Sequence, residues 1–123
     1  MEKPQTTPTP PYILVCGGRF YTNMKEMWST LDRLNALYKF KTLIHGGAGG
    51  ADTLAGKWAD EKGLQKIVVR ANWNKHGKAA GPIRNQQMLD TYAPNLVVAF
   101  EGGKGTADMV KRSKLNGFPL EIV

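Results

Sequence analysis

Cysteine is almost absent: Cys16 is the only one among 123 residues. An internal disulfide is therefore excluded. The composition suits a reducing compartment, so a cytoplasmic setting is expected. Histidine is nearly as scarce, and His45 and His76 alone cannot build a multi-histidine metal centre. No resident metal or cofactor is expected. No apolar run reaches bilayer length, and no basic-then-apolar leader is visible. Acidic residues are also in deficit: Asp and Glu number 10 against 17 Lys and Arg, a formal net charge of +7. That surplus suits an anionic partner, nucleotide or nucleic acid, although the basic residues are scattered and form no dense cluster. The length predicts one domain, large enough to fold without covalent staples.

What is present is an alternating pattern. Residues 1–11 carry Pro4, Pro8, Pro10 and Pro11 with little apolar content, and read as a flexible tail. From residue 12 to residue 123 short apolar runs alternate with amphipathic stretches. Strands are predicted at Tyr12–Cys16, Thr42–His45, Lys66–Arg70, Leu96–Phe100 and Phe118–Val123. Between them, Asn23 with Glu26 three residues on marks a helix start, followed by apolar residues at a 3.6-residue period up to Tyr38. Further helices are expected over Ala51–Lys62, over a stretch with Pro82 in its first turn that reaches Tyr92, and over Thr106–Leu115, while Asn72 to Lys78 reads as a loop. Strands and helices in strict alternation predict a three-layer Rossmann-like α/β domain. Its five-stranded parallel sheet is expected in the order 3-2-1-4-5, with helices on both faces.

The glycines locate the function. The chain has 14, and 11 fall in segments that leave the first four strands: Gly17, Gly18, Gly46, Gly47, Gly49, Gly50, Gly77, Gly81, Gly102, Gly103 and Gly105. In an open parallel sheet those segments share one edge, where ligands bind. Two turns, His45 to Asp52 and Glu101 to Thr106, each lead from a strand into a helix. Backbone amides there can approach an anion with no Cβ in the way, at the positive end of a helix dipole. A phosphate-bearing ligand is expected across both turns.

Four segments taken together, Gly17-Gly18-Arg19, His45-Gly-Gly-Ala-Gly-Gly-Ala-Asp52, Gly81-Pro-Ile-Arg-Asn-Gln-Gln-Met88 and Gly102-Gly-Lys-Gly-Thr-Ala-Asp-Met109, resemble the YspA/YpsA-related branch of the SMF/DprA–Lonely Guy (SLOG) Rossmann-like superfamily. The likeness runs from Ile13 to Val123. It implies a nucleotide or nucleotide-derived ligand, such as an ADP-ribose-like or signalling molecule, and a homo-oligomer. It also brings in a reaction, because Lonely Guy enzymes cleave the N-glycosidic bond of nucleoside monophosphates with an arginine and a glutamate. Arg84 stands where that arginine is expected. Met109 replaces the glutamate, and Glu101 takes the place of the usual proline.

The ligand-binding residues expected from these motifs are Gly17, Gly18, Arg19, Phe20, Gly46, Gly47, Asp52, Trp73, Arg84, Asn85, Gly102, Gly103, Lys104, Gly105 and Thr106. Arg84 offers a bidentate guanidinium to phosphate, which a lysine cannot copy. Phe20 and Trp73 are candidates to stack on a base, or else to cover the sheet edge. Asp52 either caps amides or accepts from ribose hydroxyls. The leading reading is a module that senses or sequesters a nucleotide-type ligand. A phosphoribohydrolase-like enzyme is the runner-up, and would need Asp108 or Glu101 in place of the missing carboxylate, with Arg84 stabilising charge. Single-stranded nucleic acid binding comes third, because cations and aromatics do not gather in one tract.

Overall fold

The computed structural model describes residues 7–123; the first six residues of the proline-rich tail lie outside that range. Five strands, β1 (Tyr12–Cys16), β2 (Thr42–His45), β3 (Gln65–Val68), β4 (Leu96–Ala99) and β5 (Leu120–Ile122), form one sheet in the order β3-β2-β1-β4-β5. Every pairing is parallel, with Ile13 of β1 in register with Leu43 on one side and Leu96 on the other. The helices are α1 (Met24–Tyr38), α2 (Ala51–Lys62), a single turn α3 (Trp73–His76), α4 (Ala80–Tyr92) and α5 (Lys104–Leu115). This is the expected Rossmann-like α/β architecture.

Side-chain alternation along β1 explains the layers. Ile13 and Val15 point to one face, where they join Leu43, Trp58 and Phe100 beneath α1 and α2. Leu14 points to the other face, with Ile44, Val97, Met88 and Met109 beneath α4 and α5. Both faces of β1, β2 and β4 are therefore covered, which is why their sequences are continuously apolar. Trp58 is fully buried, and its indole N–H is satisfied by Asp32 Oδ1 at 2.9 Å. α1 starts as its sequence predicts: Asn23 Oδ1 accepts from the Glu26 amide at 3.0 Å. α2 stops at Gly63, whose φ of +73° is left-handed.

β3 and β4 end one or two residues before their expected limits, β3 starting one residue early, and three other departures from the sequence expectation are more informative. The 72–78 stretch is not an open loop, because Asn72 caps the α3 turn by accepting from the Lys75 amide at 3.1 Å, and Gly77–Ala79 continue as a 3-10 turn into α4. α5 begins at Lys104 rather than Thr106, so the glycine turn itself becomes the first helical turn. The last strand is trimmed to three residues. In the described part of the tail, the Thr9 carbonyl accepts from Thr42 Oγ1 at 2.8 Å and the Pro11 carbonyl accepts from the Lys41 amide at 3.0 Å. No helix among the described residues is long and apolar enough to cross a membrane.

β1 is the switch point of the sheet: the chain leaves it toward β2 on one side and returns to β4 on the other. The loops after β1 and β4 therefore lead to α1 and α5 on opposite faces of the sheet, and a crevice opens beside this switch point.

Candidate functional site

The crevice is a cleft of about 660 Å³ at the carboxyl ends of the strands. Its floor is made by three loops that fasten to one another. The Gly18 amide donates to the Glu101 carbonyl at 2.9 Å, and the Gly18 carbonyl accepts from the Ala51 amide at 3.0 Å. This close meeting dictates the sequence. Gly50, the residue before α2, has φ +47°, and a Cβ there would collide with the Gly18 carbonyl and Arg19.

The two glycine turns are unequal. In the first, the Gly47 amide donates to His45 Nδ1 and the Ala48 amide to Asp52 Oδ2, both at 3.0 Å, while the Asp52 amide donates to the Gly49 carbonyl at 3.0 Å. Most donors of this turn are thus engaged within the protein, against the expectation of free amides from both turns. The physical reason is Asp52, whose carboxylate folds back over the turn and takes the place an anion would occupy. In the second turn, the amides of Lys104, Gly105 and Thr106 donate to no acceptor among the described residues, and no side chain caps the helix. They are the open donors at the cleft, at the positive end of α5.

Asp52 and His45 are both buried beside this floor. Burial raises the Asp52 carboxyl above its ordinary range, opposed by the Ala48 amide, His45 and Arg84. Burial lowers the His45 imidazole, with Asp52 pulling the other way. His45 accepts through Nδ1, so its proton sits on Nε2, which faces α2 at Gly56.

Arg84 projects from the first turns of α4 into the cleft. Its Nη1 donates to the Gly46 carbonyl at 2.9 Å and to the Val69 carbonyl at 3.2 Å, and its Nε donates to Asn85 Oδ1 at 3.0 Å. All three acceptors are neutral, and Arg84 enters no ion pair among the described residues. A Cβ at Gly46 would meet the guanidinium and displace it from this position. Burial works against the charge, with Asp52 the main counterweight. The result is an oriented, half-buried cation whose second terminal nitrogen has no partner among the described residues.

Asn85 is 4% exposed and links two helices: its Nδ2 donates to Asp108 Oδ2 at 2.9 Å and to the Gly105 carbonyl at 3.3 Å. Of the residues expected at the site, Gly17, Gly18, Arg19, Phe20, Gly46, Asp52, Trp73, Arg84, Asn85 and the whole Gly102–Thr106 turn line the cleft. Gly47 does not; its carbonyl instead accepts from Arg70 Nη1 at 3.0 Å, on the outer side of the loop. Asp108 does not either. Its Oδ2 accepts from Arg112 Nε at 2.8 Å as well as from Asn85. Burial pushes its pKa up, but those two bonds outweigh it and the net direction is down. It is a structural anion between α4 and α5. Glu101 lines the cleft and is exposed.

Tyr21, which like Phe20 is a candidate from the sequence to stack on a base or to pack over the sheet end, also lines the cleft, as does Met109; Leu14, Val15 and Ala48 line it without having been singled out by the sequence. Cys16, at the end of β1, lines it too. Burial first and Asp52 second push its thiol up to about 12, so it is no nucleophile near neutral pH. No group of His, Cys, Asp and Glu able to hold a metal ion occurs among the described residues.

Comparisons with known proteins agree with this architecture. The model of the YspA, cpYpsA-related SLOG family matches residues 11–76. The Gene 61 protein of Mycobacterium phage D29 is 32% identical over 116 residues, covering 88% of this chain and 92% of the phage protein. Among solved structures, DNA processing protein A (DprA) from Streptococcus pneumoniae superposes with a TM-score of 0.72 over 91% of this chain at 18% identity. The chain spans 50% of that larger protein, and the likeness is one of fold.

Proposed function

Because the chain belongs to the YspA, cpYpsA-related SLOG family, we propose that it is a binding module for a nucleotide or nucleotide-derived phosphate ligand, held at the carboxyl edge of the sheet. One observation carries this reading. An oriented guanidinium that enters no ion pair among the described residues, with Asp52 acting on it only through space, and the open amides of α5 face one cleft. A half-buried cation bonded only to neutral oxygens is poorly compensated, and an anionic ligand would complete it. The exposed rings of Phe20 and Trp73 line the same cleft and supply stacking surfaces for a base. Arg19 and Lys104 add charge at the rim, where screening is strong and the gain falls mainly on the rate of encounter.

A hydrolase finds less support. Met109 occupies the position where the Lonely Guy resemblance wants a carboxylate, and Asp108 is tied to Arg112 and Asn85. Among the described residues, only Asp52 and Glu101 offer carboxylates to the cleft. Single-stranded nucleic acid is the second reading. A hollow lined by Arg70, Asn72 and Asn74 continues the cleft beyond Trp73, and the fold is shared with a DNA processing protein.

Calorimetric titration with AMP, ADP, ADP-ribose and a ten-residue oligothymidylate tests these readings. Saturable binding of a nucleotide at micromolar concentration, with Arg84→Lys at least tenfold weaker, is the expected result. No heat from any nucleotide up to millimolar concentration would defeat the main reading. Binding of the oligonucleotide alone, with affinity falling steeply as salt rises, would favour the second.

A further inference from the structure

The two anion-binding groups of the cleft stand on different helices, Arg84 on α4 and the open amides on α5. A phosphate that meets both depends on the separation of those helices and on the angle of the guanidinium. Apolar packing sets the separation only coarsely: Met88 of α4 and Met109 of α5 share one core cluster, and methionine is an adaptable filler. A polar seam along the same pair of helices is more exacting.

The seam starts at Arg84 and leads away from the cleft. Arg84 Nε donates to Asn85 Oδ1 at 3.0 Å, and Asn85 Nδ2 donates to Asp108 Oδ2 at 2.9 Å. The same Oδ2 accepts from Arg112 Nε at 2.8 Å. Arg112 then crosses back to α4, where its Nη1 donates to Gln86 Oε1 at 3.1 Å. Gln86 Nε2 in turn donates to Asp90 Oδ1 at 2.9 Å. Gly105, Asp108 and Arg112 lie three and four residues apart, on the stripe of α5 that meets Asn85 and Gln86.

Donor and acceptor types lock this order. Arg84 Nε can only donate, while the ionised Asp108 and the Gly105 carbonyl can only accept. Turning the Asn85 amide over would set donor against donor and oxygen against two oxygens, in a side chain nearly closed to water. Its orientation therefore depends on a carboxylate held in place at Asp108. Packing does not hold that carboxylate, since the Asp108 side chain is 23% exposed. Arg112 does, reaching Asp108 and Gln86 with two different nitrogens of one rigid plane. None of Gln86, Asp108 and Arg112 lines the cleft.

We infer that Arg112 is a positioning residue of the anion site: through Asp108 and Asn85 it holds the Arg84 guanidinium at the angle that meets a phosphate, and through Gln86 it fixes α4 against α5. This rests on the proposed nucleotide-binding reading and adds to it a residue that no ligand in the cleft touches.

Titrations of AMP, ADP and ADP-ribose into the wild type, Arg112→Met, Lys111→Met, Arg84→Lys and the Arg84→Lys/Arg112→Met pair test it. Arg112→Met keeps the aliphatic stem and removes the guanidinium. It is expected to weaken nucleotide binding about three- to tenfold, a coupling usual within one hydrogen-bonded network. In the Arg84→Lys background the same change is expected to cost less than about twofold, because the plane it orients is gone. Lys111→Met removes an equal charge from the adjacent exposed position, and is expected to leave affinity within about twofold because solvent screens it. Equal losses from Arg112→Met in both backgrounds would make Arg112 a general support of the fold and overturn the inference. An equal loss from Lys111→Met would make it a distant charge and overturn it too. Unchanged affinity in Arg112→Met would overturn it while leaving nucleotide binding standing. If none of the three nucleotides binds the wild type, the broader reading falls and takes this inference with it.

Discussion

Arg84 and Asn85 are consecutive in α4 and hold each other in place: Arg84 Nε donates to Asn85 Oδ1 at 3.0 Å. The amide is buried and bonded to α5 through Gly105 and Asp108, so the guanidinium is oriented from behind by a different helix. From the front it is held by the carbonyls of Gly46 and Val69. Five donors in a rigid plane allow it to satisfy these acceptors and still present a terminal nitrogen to the cleft.

Arg84→Lys keeps the charge and removes that geometry. A lysine ammonium can reach one or two of the three acceptors, and has no rigid edge left for a phosphate. Ligand affinity is expected to fall at least tenfold, with the thermal midpoint of the ligand-free protein moving by only a few degrees. Titration calorimetry and thermal denaturation on the same samples check both. An unchanged affinity would remove Arg84 from the site.

Asn85→Ala acts through the same residue by another route. It deprives Arg84 Nε of its acceptor and leaves Asp108 with Arg112 alone. Losing a buried amide from a satisfied network is expected to destabilise by about 1–3 kcal/mol. Affinity should drop as well, because Arg84 loses its orientation. Denaturant unfolding beside calorimetry separates the two effects. Asn85→Asp is a useful contrast: it retains the acceptor for Arg84 but places a carboxylate against Asp108, and should be the more damaging change to stability.

The glycine positions are expected to differ sharply in tolerance. Gly50→Ala puts a Cβ into the Gly18 carbonyl at a positive φ, and should cost about 2–4 kcal/mol. Gly103→Ala meets nothing within 4 Å at an ordinary φ of −103°, and should stay within about 0.5 kcal/mol. Urea midpoints decide it. Equal penalties at the two positions would mean that the three-loop clasp is not what holds the cleft floor.

How far the sequence discloses this site depends on how local each signal is. The strands were legible because β1, β2 and β4 are buried on both faces and read as unbroken apolar runs. α1 was legible because its cap and its first turn lie three residues apart, at Asn23 and Glu26. The α3 turn was not, since four residues with no buried side chain carry no periodicity, and only the Asn72 cap hints at it. The glycine turns raise the expectation of an anion site, yet which turn keeps its amides open is invisible in the sequence. That depends on Asp52 folding back onto Ala48, a contact the sequence alone allows but does not require. Asp108 misled for the matching reason: its partners Asn85 and Arg112 come together only when α4 packs on α5.

The pair His45 and Asp52 gives opposite responses to acid. Burial lowers the His45 pKa from its ordinary 6.5, so its contribution to stability is present above that value. It is lost as pH falls, because the unfolded imidazole takes up a proton that the folded one resists. Burial raises the Asp52 pKa from its ordinary 3.8, so its contribution is complete below that value and is lost as pH rises through the folded value. Acidification from about pH 8 through the ordinary imidazole value therefore weakens the fold through His45, and further acidification toward the ordinary carboxyl value strengthens it through Asp52. His45→Asn preserves an acceptor for the Gly47 amide without a titrating ring, and its urea midpoint should fall less than that of the wild type over this range. Asp52→Asn keeps an acceptor for Ala48 but loses the compensating proton uptake, so its midpoint should fall more steeply. Three parallel curves would show that neither group titrates against burial, and that the floor of the cleft is wetter than its geometry implies.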